Sequence, residues 1–312
     1  LGALFSTFSR IRTQRMKYKD QLKSLSKAWD GTYYRCTICI PSLNNSEGLN
    51  LLLASIIGSL NLSLWVEHVV LRLEGTWKPN FYREQLIETL KVLGIPVTVC
   101  YAHSIGSHAL RDWQLYNSIV GSRFVLFLDD DVILDCRAID SIVGTSSKLI
   151  RSDSNVKFSY LQGTKWDCSN TRGYKDFSIQ HTTFFGAVNY NVPVYYEEEH
   201  KHSTKSCYWL DTGFALFDRK TVAENDLTFV PLLSNAFTGG EDALFALQCE
   251  SKNVARYWVP TAQAIHLEKE TLRFSDHGYR KEAVLRAAEQ LKYPTDRIQE
   301  FLSWVPIRNH QI

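Results

Sequence analysis

Three consecutive carboxylates, Asp129, Asp130 and Asp131, follow directly on the apolar run Phe124-Val125-Leu126-Phe127-Leu128. Apolar residues with aromatic and β-branched members read as a buried strand. The acids therefore cluster where the chain leaves a sheet. In open α/β sheets, ligands gather at the carboxyl ends of strands. Carboxylates held this close repel one another unless something positive sits among them, and a divalent cation is the usual compensation. The chemistry that suits such a turn is a metal bridging to the oxygens of a diphosphate. Taken alone, the residues equally suit a solvated acidic turn.

A second group is Gly239-Gly240-Glu241-Asp242, which leads into Ala243-Leu244-Phe245-Ala246-Leu247. Two glycines permit close backbone approach. Two carboxylates then open a helix, whose N-terminus favours the ionised form. That suits a general base, or a clamp on an acceptor hydroxyl; a glycine turn with acidic caps is the competing reading. His266, in Ala264-Ile265-His266-Leu267, is either a ligand or a satisfied core histidine. Arg111 lies in the helical pattern ahead of the acidic turn. Glu197-Glu198-Glu199-His200-Lys201-His202 could hold a second metal or be a solvated loop.

The elements around these residues alternate. Residues 34–40 have strand character, ended by Pro41. A helix is expected over 49–60, a strand over 66–73, and a helix over 81–93 with Gly94 as its C-terminal cap. A strand over 97–101 and a helix over 108–120, closed by Gly121, lead to the strand 124–128. Strands alternating with helices argue for parallel βαβ units. The second half is less regular. Residues 151–208 show no clean period, 209–217 are strand-like, 242–249 are helical, 256–259 form a short strand before Pro260, and 277–304 form terminal helices. The irregular middle, rich in aromatics such as Trp166, Tyr174, Phe184, Tyr195 and Trp209, reads as a substrate-facing elaboration of one domain.

The 312 residues are 45% hydrophobic and 22% charged, with a net charge of +2. This balance does not announce nucleic-acid or membrane binding. No apolar run is long enough to span a bilayer, and Leu1–Phe5 is too short for a secretory signal core. Met16 is the only methionine, so the chain is expected to begin partway into a longer one. Residues 1–30 are basic and read as a solvated helix or arm, available to an anionic acceptor or a membrane surface. Seven scattered cysteines make no disulfide framework and favour a reducing compartment, the cytoplasm. Cys36 and Cys39 form a C-x-x-C inside a strand, where residues three apart face opposite ways, so they read as core thiols.

In order and spacing, the strand-end acids, the Gly-Gly-Glu-Asp helix start and the late histidine resemble the GT-A glycosyltransferases, in particular the large inverting family 2. The resemblance runs from about Thr37 to His266. Thr37-Ile38-Cys39-Ile40-Pro41-Ser42-Leu43-Asn44 is similar to that family's opening strand and nucleotide loop. Arg111 is similar to its arginine ahead of the acidic strand. Phe124–Val132 is the nearest match, and Trp209–Phe217 resembles the acceptor-side strand. The implied fold is α/β, Rossmann-like, with a mainly parallel central sheet, flanking helices and an irregular acceptor-side half. The implied layout is a catalytic domain over 31–270, with a nucleotide-binding half at 31–135 and an acceptor-binding half at 136–270. A helical segment at 271–312 follows it.

The resemblance also implies roles. Asp129 and Asp130 would lie near the nucleotide ribose and the metal, with Asp131 as principal ligand and His266 completing the set. Pro41, Ser42 and Arg111 would line the nucleotide pocket. Asp242 would be the base and Glu241 would hold the acceptor, with Trp209, Asp211, Gly239 and Gly240 on the acceptor side. The family carries an acid just after its second strand to read the base. Here Glu74, in Leu71-Arg72-Leu73-Glu74-Gly75, is the candidate. The expected donor is a nucleotide sugar, UDP-linked by default, and the expected ion is Mn²⁺ or Mg²⁺, with a histidine ligand favouring Mn²⁺. The acceptor stays open among glycan, lipid, protein, small molecule and modified nucleic-acid base. A nucleotidyltransferase is the alternative enzyme, although Pro41–Ser46 is not the Gly-rich loop it needs. A non-catalytic carbohydrate-binding protein is the other alternative.

Overall fold

A computed structural model describes residues 34–44, 46–103, 107–117, 119–152, 157–168, 205–206, 212–229, 241–267, 289 and 292. The expected terminal arm and helices, the 197–202 cluster, and Trp209, Asp211, Gly239 and Gly240 lie outside the described residues. The strands are β1 (Cys36–Leu43), β2 (Val66–Glu74), β3 (Val97–Ala102), β4 (Phe124–Leu128), β5 (Val132–Leu134), β6 (Phe158–Cys168), β7 (Lys205–Ser206), β8 (Phe214–Asp218) and β9 (Ala255–Leu267). The helices are α1 (Ser46–Ile57), α2 (Leu62–Trp65), α3 (Phe81–Val92), α4 (Ser107–Tyr116), α5 (Ala138–Ser152), α6 (Arg219–Glu224) and α7 (Glu241–Ser251).

The strands form one sheet in the order β3-β2-β1-β4-β8-β6-β9-β5, with β7 on β9. β3, β2, β1 and β4 pair in parallel, as the strand–helix alternation requires. β8 then runs antiparallel to both β4 and β6. The runs of β4 and β8 are apolar without alternation because both faces are covered. On one face Phe124, Leu126, Leu128, Phe158 and Phe214 join Leu52, Leu53, Ile56, Ile139 and Ile142 of α1 and α5. On the other, Phe127, Phe217, Phe229, Phe245 and Tyr160 pack ring to ring, with centroids 4.6 Å apart for Phe127–Phe217 and 4.4 Å for Phe229–Phe245.

Only three residues separate β4 from β5, yet β5 lies four strand positions away. Leu128 and Val132 are at most about 14 Å apart along the chain, and four spacings of a flat sheet need about 19 Å. The sheet therefore curls, and Asp129–Asp131 is the short bridge across its opening.

Four expectations are corrected. β1 does not stop at Pro41 but continues to Leu43. β4 accompanies it only as far as Cys39, so a residue without an amide hydrogen at 41 breaks no ladder bond on that side. The helix expected over 108–120 ends at Tyr116, and Gly121 does not close it. The buried Arg219 instead gathers carbonyls of the last turn of α4 and of the loop that follows it. Its Nε donates to Leu115 O at 2.7 Å, Nη1 to Val120 O and Ser122 O at 2.6 and 2.8 Å, and Nη2 to Asn117 O at 3.0 Å. The strand expected over 256–259 runs through Pro260 to Leu267. Gln162 pairs Trp258 and Thr164 pairs Gln263, so β9 spends four residues where β6 spends Gly163 alone, and Pro260 falls in that bulge. The irregular middle contains β6, eleven residues long.

Other expectations hold closely. α3 ends at Val92 and is closed by Gly94, whose φ is +78°: Ile95 N donates to Leu90 O at 3.0 Å and Gly94 N to Lys91 O at 2.9 Å. Cys36 and Cys39 are free thiols fully inside the core. Among the described residues no helix is long and apolar enough to cross a membrane.

Candidate active site

Each acid of the turn after β4 meets a different element. Asp129 is held first by the backbone, its amide donating to Gly213 O at 3.1 Å. Its Oδ1 accepts from Arg111 Nη2, and Lys165 Nζ lies 4.0 Å from Oδ2. Burial pushes this carboxyl up, but Arg111, Lys165 and His266 outweigh it and bring it down to about 2. Asp129 is therefore ionised at any neutral pH. Asp130 accepts from the hydroxyl of Ser42, at the carboxyl end of β1.

Asp131 meets His266. The β5–β9 ladder places Val132 opposite His266, and Leu267 N donates to Asp131 O at 2.7 Å. His266 Nε2 then lies 3.3 Å from Asp131 Oδ2, with both side chains partly buried. Asp131 Oδ1 is buried with no hydrogen-bond partner among the described residues. A buried carboxylate oxygen left open beside an imidazole is a donor set that fits a divalent cation. Among the described residues no three His, Cys, Asp or Glu groups stand close enough to enclose an ion. Among the described residues Asp131 and His266 are two candidate ligands, a number that would suit an ion completing its shell with other oxygens.

β1 and β2 end together. Leu43 pairs Glu74 in register, and both Asn44 and Gly75 take positive φ, +57° and +87°. A Cβ at Gly75 would stand 2.6 Å from Asn44 Nδ2, and the φ of +87° there favours glycine. Glu74 is buried and accepts from Arg72 Nε at 2.7 Å. The Arg72 guanidinium lies 4.6 Å from the Trp113 ring centroid, so α4 supports this pair as well as supplying Arg111. Arg111 itself rests over Phe127, 5.5 Å from the ring centroid. Pro41 is half-buried beside Ser42.

Glu241 and Asp242 are the first two residues of α7, and Asp242 is half-buried. The helix is anchored through Phe245, stacked on Phe229 and edge-on to Phe217 of β8 at 5.5 Å. Gln248 adds a reciprocal pair with Thr228, at 2.7 and 3.2 Å. Asp129, Asp130, Asp131, Arg111, Ser42 and His266 are brought together; Glu74 stands at the neighbouring strand end.

Sequence reading missed Lys165, Arg72 and Trp113. A weak alternation in Phe158-Ser159-Tyr160 was the available signal for β6, and the bulge at Gly163 broke it before Lys165.

No family model and no curated protein matches the sequence. Solved structures do match in three dimensions. GalNAc-T7 with UDP, GalNAc and Mn²⁺ superposes at a TM-score of 0.56 and 14% identity, over 82% of this chain and 47% of that one. S. aureus TarS 1–349 with UDP-GlcNAc superposes at 0.55 and 16% identity, over 86% of this chain and 70% of that one. This chain thus spans about half the length of GalNAc-T7. At these identities the likeness is one of architecture, and the chain has the GT-A fold of glycosyltransferases.

Proposed function

We propose that this protein is a metal-dependent, inverting glycosyltransferase that moves a hexosyl group from a nucleotide-sugar donor, UDP-linked by default, to an acceptor hydroxyl. The observation that carries the reading is the division of labour in one turn. Asp129 is fixed by Arg111, Asp130 by Ser42, and Asp131 stands against His266 with an oxygen still open. The UDP of the GalNAc-T7 structure and the UDP-GlcNAc of the TarS structure support the choice of donor.

In this reading Asp131 and His266 would hold Mn²⁺ or Mg²⁺, which would supply neutralisation of the charge growing on the leaving diphosphate. Arg111, kept in place by Asp129, lines the phosphate side, and Ser42 with Asp130 bounds the ribose side. Glu74, set by Arg72, faces the base. Asp242 takes the proton from the acceptor hydroxyl as the glycosidic bond to the diphosphate breaks, and Glu241 holds the acceptor. One displacement from the opposite face inverts the anomeric centre. Residues 31–135 form the nucleotide half and 136–270 the acceptor half of one catalytic domain. The free core thiols are consistent with the cytoplasm.

The test is a panel of nucleotide sugars with Mn²⁺, scored by donor hydrolysis and thermal stabilisation. One donor at a hundredfold excess over Kd should stabilise the fold by about 2.7 kcal/mol. A panel in which nucleoside triphosphates are consumed and nucleotide sugars are not would overturn the reading in favour of nucleotidyl transfer.

A further inference from the structure

The second cation at Asp129 comes from a strand with no part in the site so far. Lys165 lies on β6, and its ammonium approaches Asp129 Oδ2 while Arg111 of α4 holds Oδ1. The Lys165 side chain is only 7% exposed. Lysine is among the residues least often buried, because its ammonium is costly to desolvate. At 4.0 Å the Asp129 contact is at the outer limit of an ion pair, and a lysine spans such a distance on a flexible four-carbon stem.

The backbone is shaped to deliver it. β6 pairs with β8 as far as Gln162–Ala215 and with β9 through the irregularity between Gln162 and Thr164. Gly163 sits at that irregularity. A Cβ there would lie 2.1 to 2.8 Å from ring carbons of Phe214, so the ring occupies the space a side chain would need. Phe214 follows Gly213, whose carbonyl receives the Asp129 amide. Gly163 therefore lets β6 close onto β8 beside Asp129, and the bulge re-aims the residues that follow it. Beyond it Lys165 pairs Ala264 and Asp167 pairs His266, which places Lys165 two residues before the level of the proposed metal ligand.

We propose that Lys165 is a donor-site residue whose ammonium binds the diphosphate of the nucleotide sugar opposite Arg111. This rests on the glycosyltransferase reading and deepens it. Asp129 then holds two cations, one from each half of the domain, aimed at the same phosphates. Lys165 adds positive charge to the leaving group beyond what the cation at Asp131 and His266 supplies. The second half of the domain thereby takes part in donor recognition.

The test compares UDP and UMP binding by calorimetry, with and without Mn²⁺, in the wild-type chain and in Lys165→Met, which keeps the volume. The expected result is UDP binding weaker by about 10- to 100-fold, the range for a lost charge-assisted bond, with UMP binding unchanged. Lys165→Arg should retain most of the UDP preference. Equal weakening of UDP and UMP, or unchanged UDP binding, overturns the proposal. Where Lys165→Met does not fold, Asp129→Asn is compared with Asp129→Asn/Lys165→Met, in which the charges are removed together; the UDP preference must fall further in the double variant. A wild-type chain that binds no nucleoside diphosphate overturns the donor reading itself, whereas UDP binding indifferent to Lys165 overturns this proposal alone.

Discussion

His266 Nε2 and Asp131 Oδ2 are 3.3 Å apart because of backbone pairing: the β5–β9 ladder sets Val132 opposite His266, and Leu267 N donates to Asp131 O. The other carboxylate oxygen, Oδ1, is buried without a hydrogen bond from any described residue. An unsatisfied buried acceptor costs about 1–3 kcal/mol, and a bound cation removes that cost.

Activity is accordingly expected to need a divalent cation. Asp131→Ala should abolish transfer with the fold intact, and His266→Ala should weaken metal binding by about 10- to 100-fold, the scale for disturbed metal sites. Metal titration and circular dichroism check both. Transfer that survives EDTA in the folded protein would sink the metal assignment.

Asp242→Asn keeps the size of the side chain and removes its basicity. Its kcat should fall by about 10²- to 10⁴-fold, with UDP binding nearly unchanged because the turn at Asp129–Asp131 is intact. Glu241→Gln under saturating donor is the control, and loss of turnover in that variant alone would reassign the base.

The depressed pKa of Asp129 links to stability. Its carboxyl goes from an ordinary 3.8 down to about 2 in the fold, so the ionised form is the one the native state favours. A depressed folded value gives stability present above pH 4 and lost as pH falls toward 2. The contribution is about 2 kcal/mol at pH 5 and about half that at pH 3. Urea unfolding of wild type and Asp129→Asn across this interval should show their difference shrinking as pH falls. A difference that is flat from pH 5 to 3 contradicts the assignment.

Arg219 satisfies one carbonyl in the last turn of α4, that of Leu115, and three in the loop that follows, those of Asn117, Val120 and Ser122, from a fully buried position. Arg219→Met should cost at least about 3 kcal/mol by orphaning buried acceptors. Arg219→Lys should also destabilise, since an ammonium cannot reproduce the fork. Because this loop follows α4, the helix of Arg111, both variants should weaken UDP binding in proportion to their loss of stability. Denaturant melts alongside calorimetry read the two together.

The thiols of β1 should be inert. Burial pushes Cys39 up to about 12 and Cys249 up to about 11, and raises Cys36 as well, so thiolate is scarce at pH 8. Cys136 is exposed. Mass-mapped labelling with a disulfide reagent should mark Cys136 in the native protein, and Cys36, Cys39 and Cys249 only after unfolding. Fast labelling of Cys36 or Cys39 would reopen a redox role for the C-x-x-C pair.

The sequence by itself determined the parallel half and the identity of the acidic turn. β2, β3 and β4 fall within a residue of expectation because they are short, rich in β-branched and aromatic residues, and marked at one end by Gly75, Pro96 or Asp129. Local periodicity encodes such elements directly. Asp129, Asp130 and Asp131 are legible as acids at the end of β4, whereas Ser42, Arg111 and His266 join them through their order along the chain and the family resemblance it carries.

Only the tertiary structure decided which of these residues meet. His266 reaches Asp131 through an antiparallel ladder between residues more than 130 apart, and no local pattern carries that register. The end of α4 is set by Arg219, more than a hundred residues downstream, whose guanidinium competes for carbonyls a longer helix would have used. β6 and the far half of β9 were hidden because a bulge at Gly163 and Pro260 interrupts the alternation that marks a strand. Packing against Phe214 selects that bulge, and it places Lys165 at Asp129. Local propensity sets each segment, but register and curl follow from burying both faces of one sheet, a property of the whole chain.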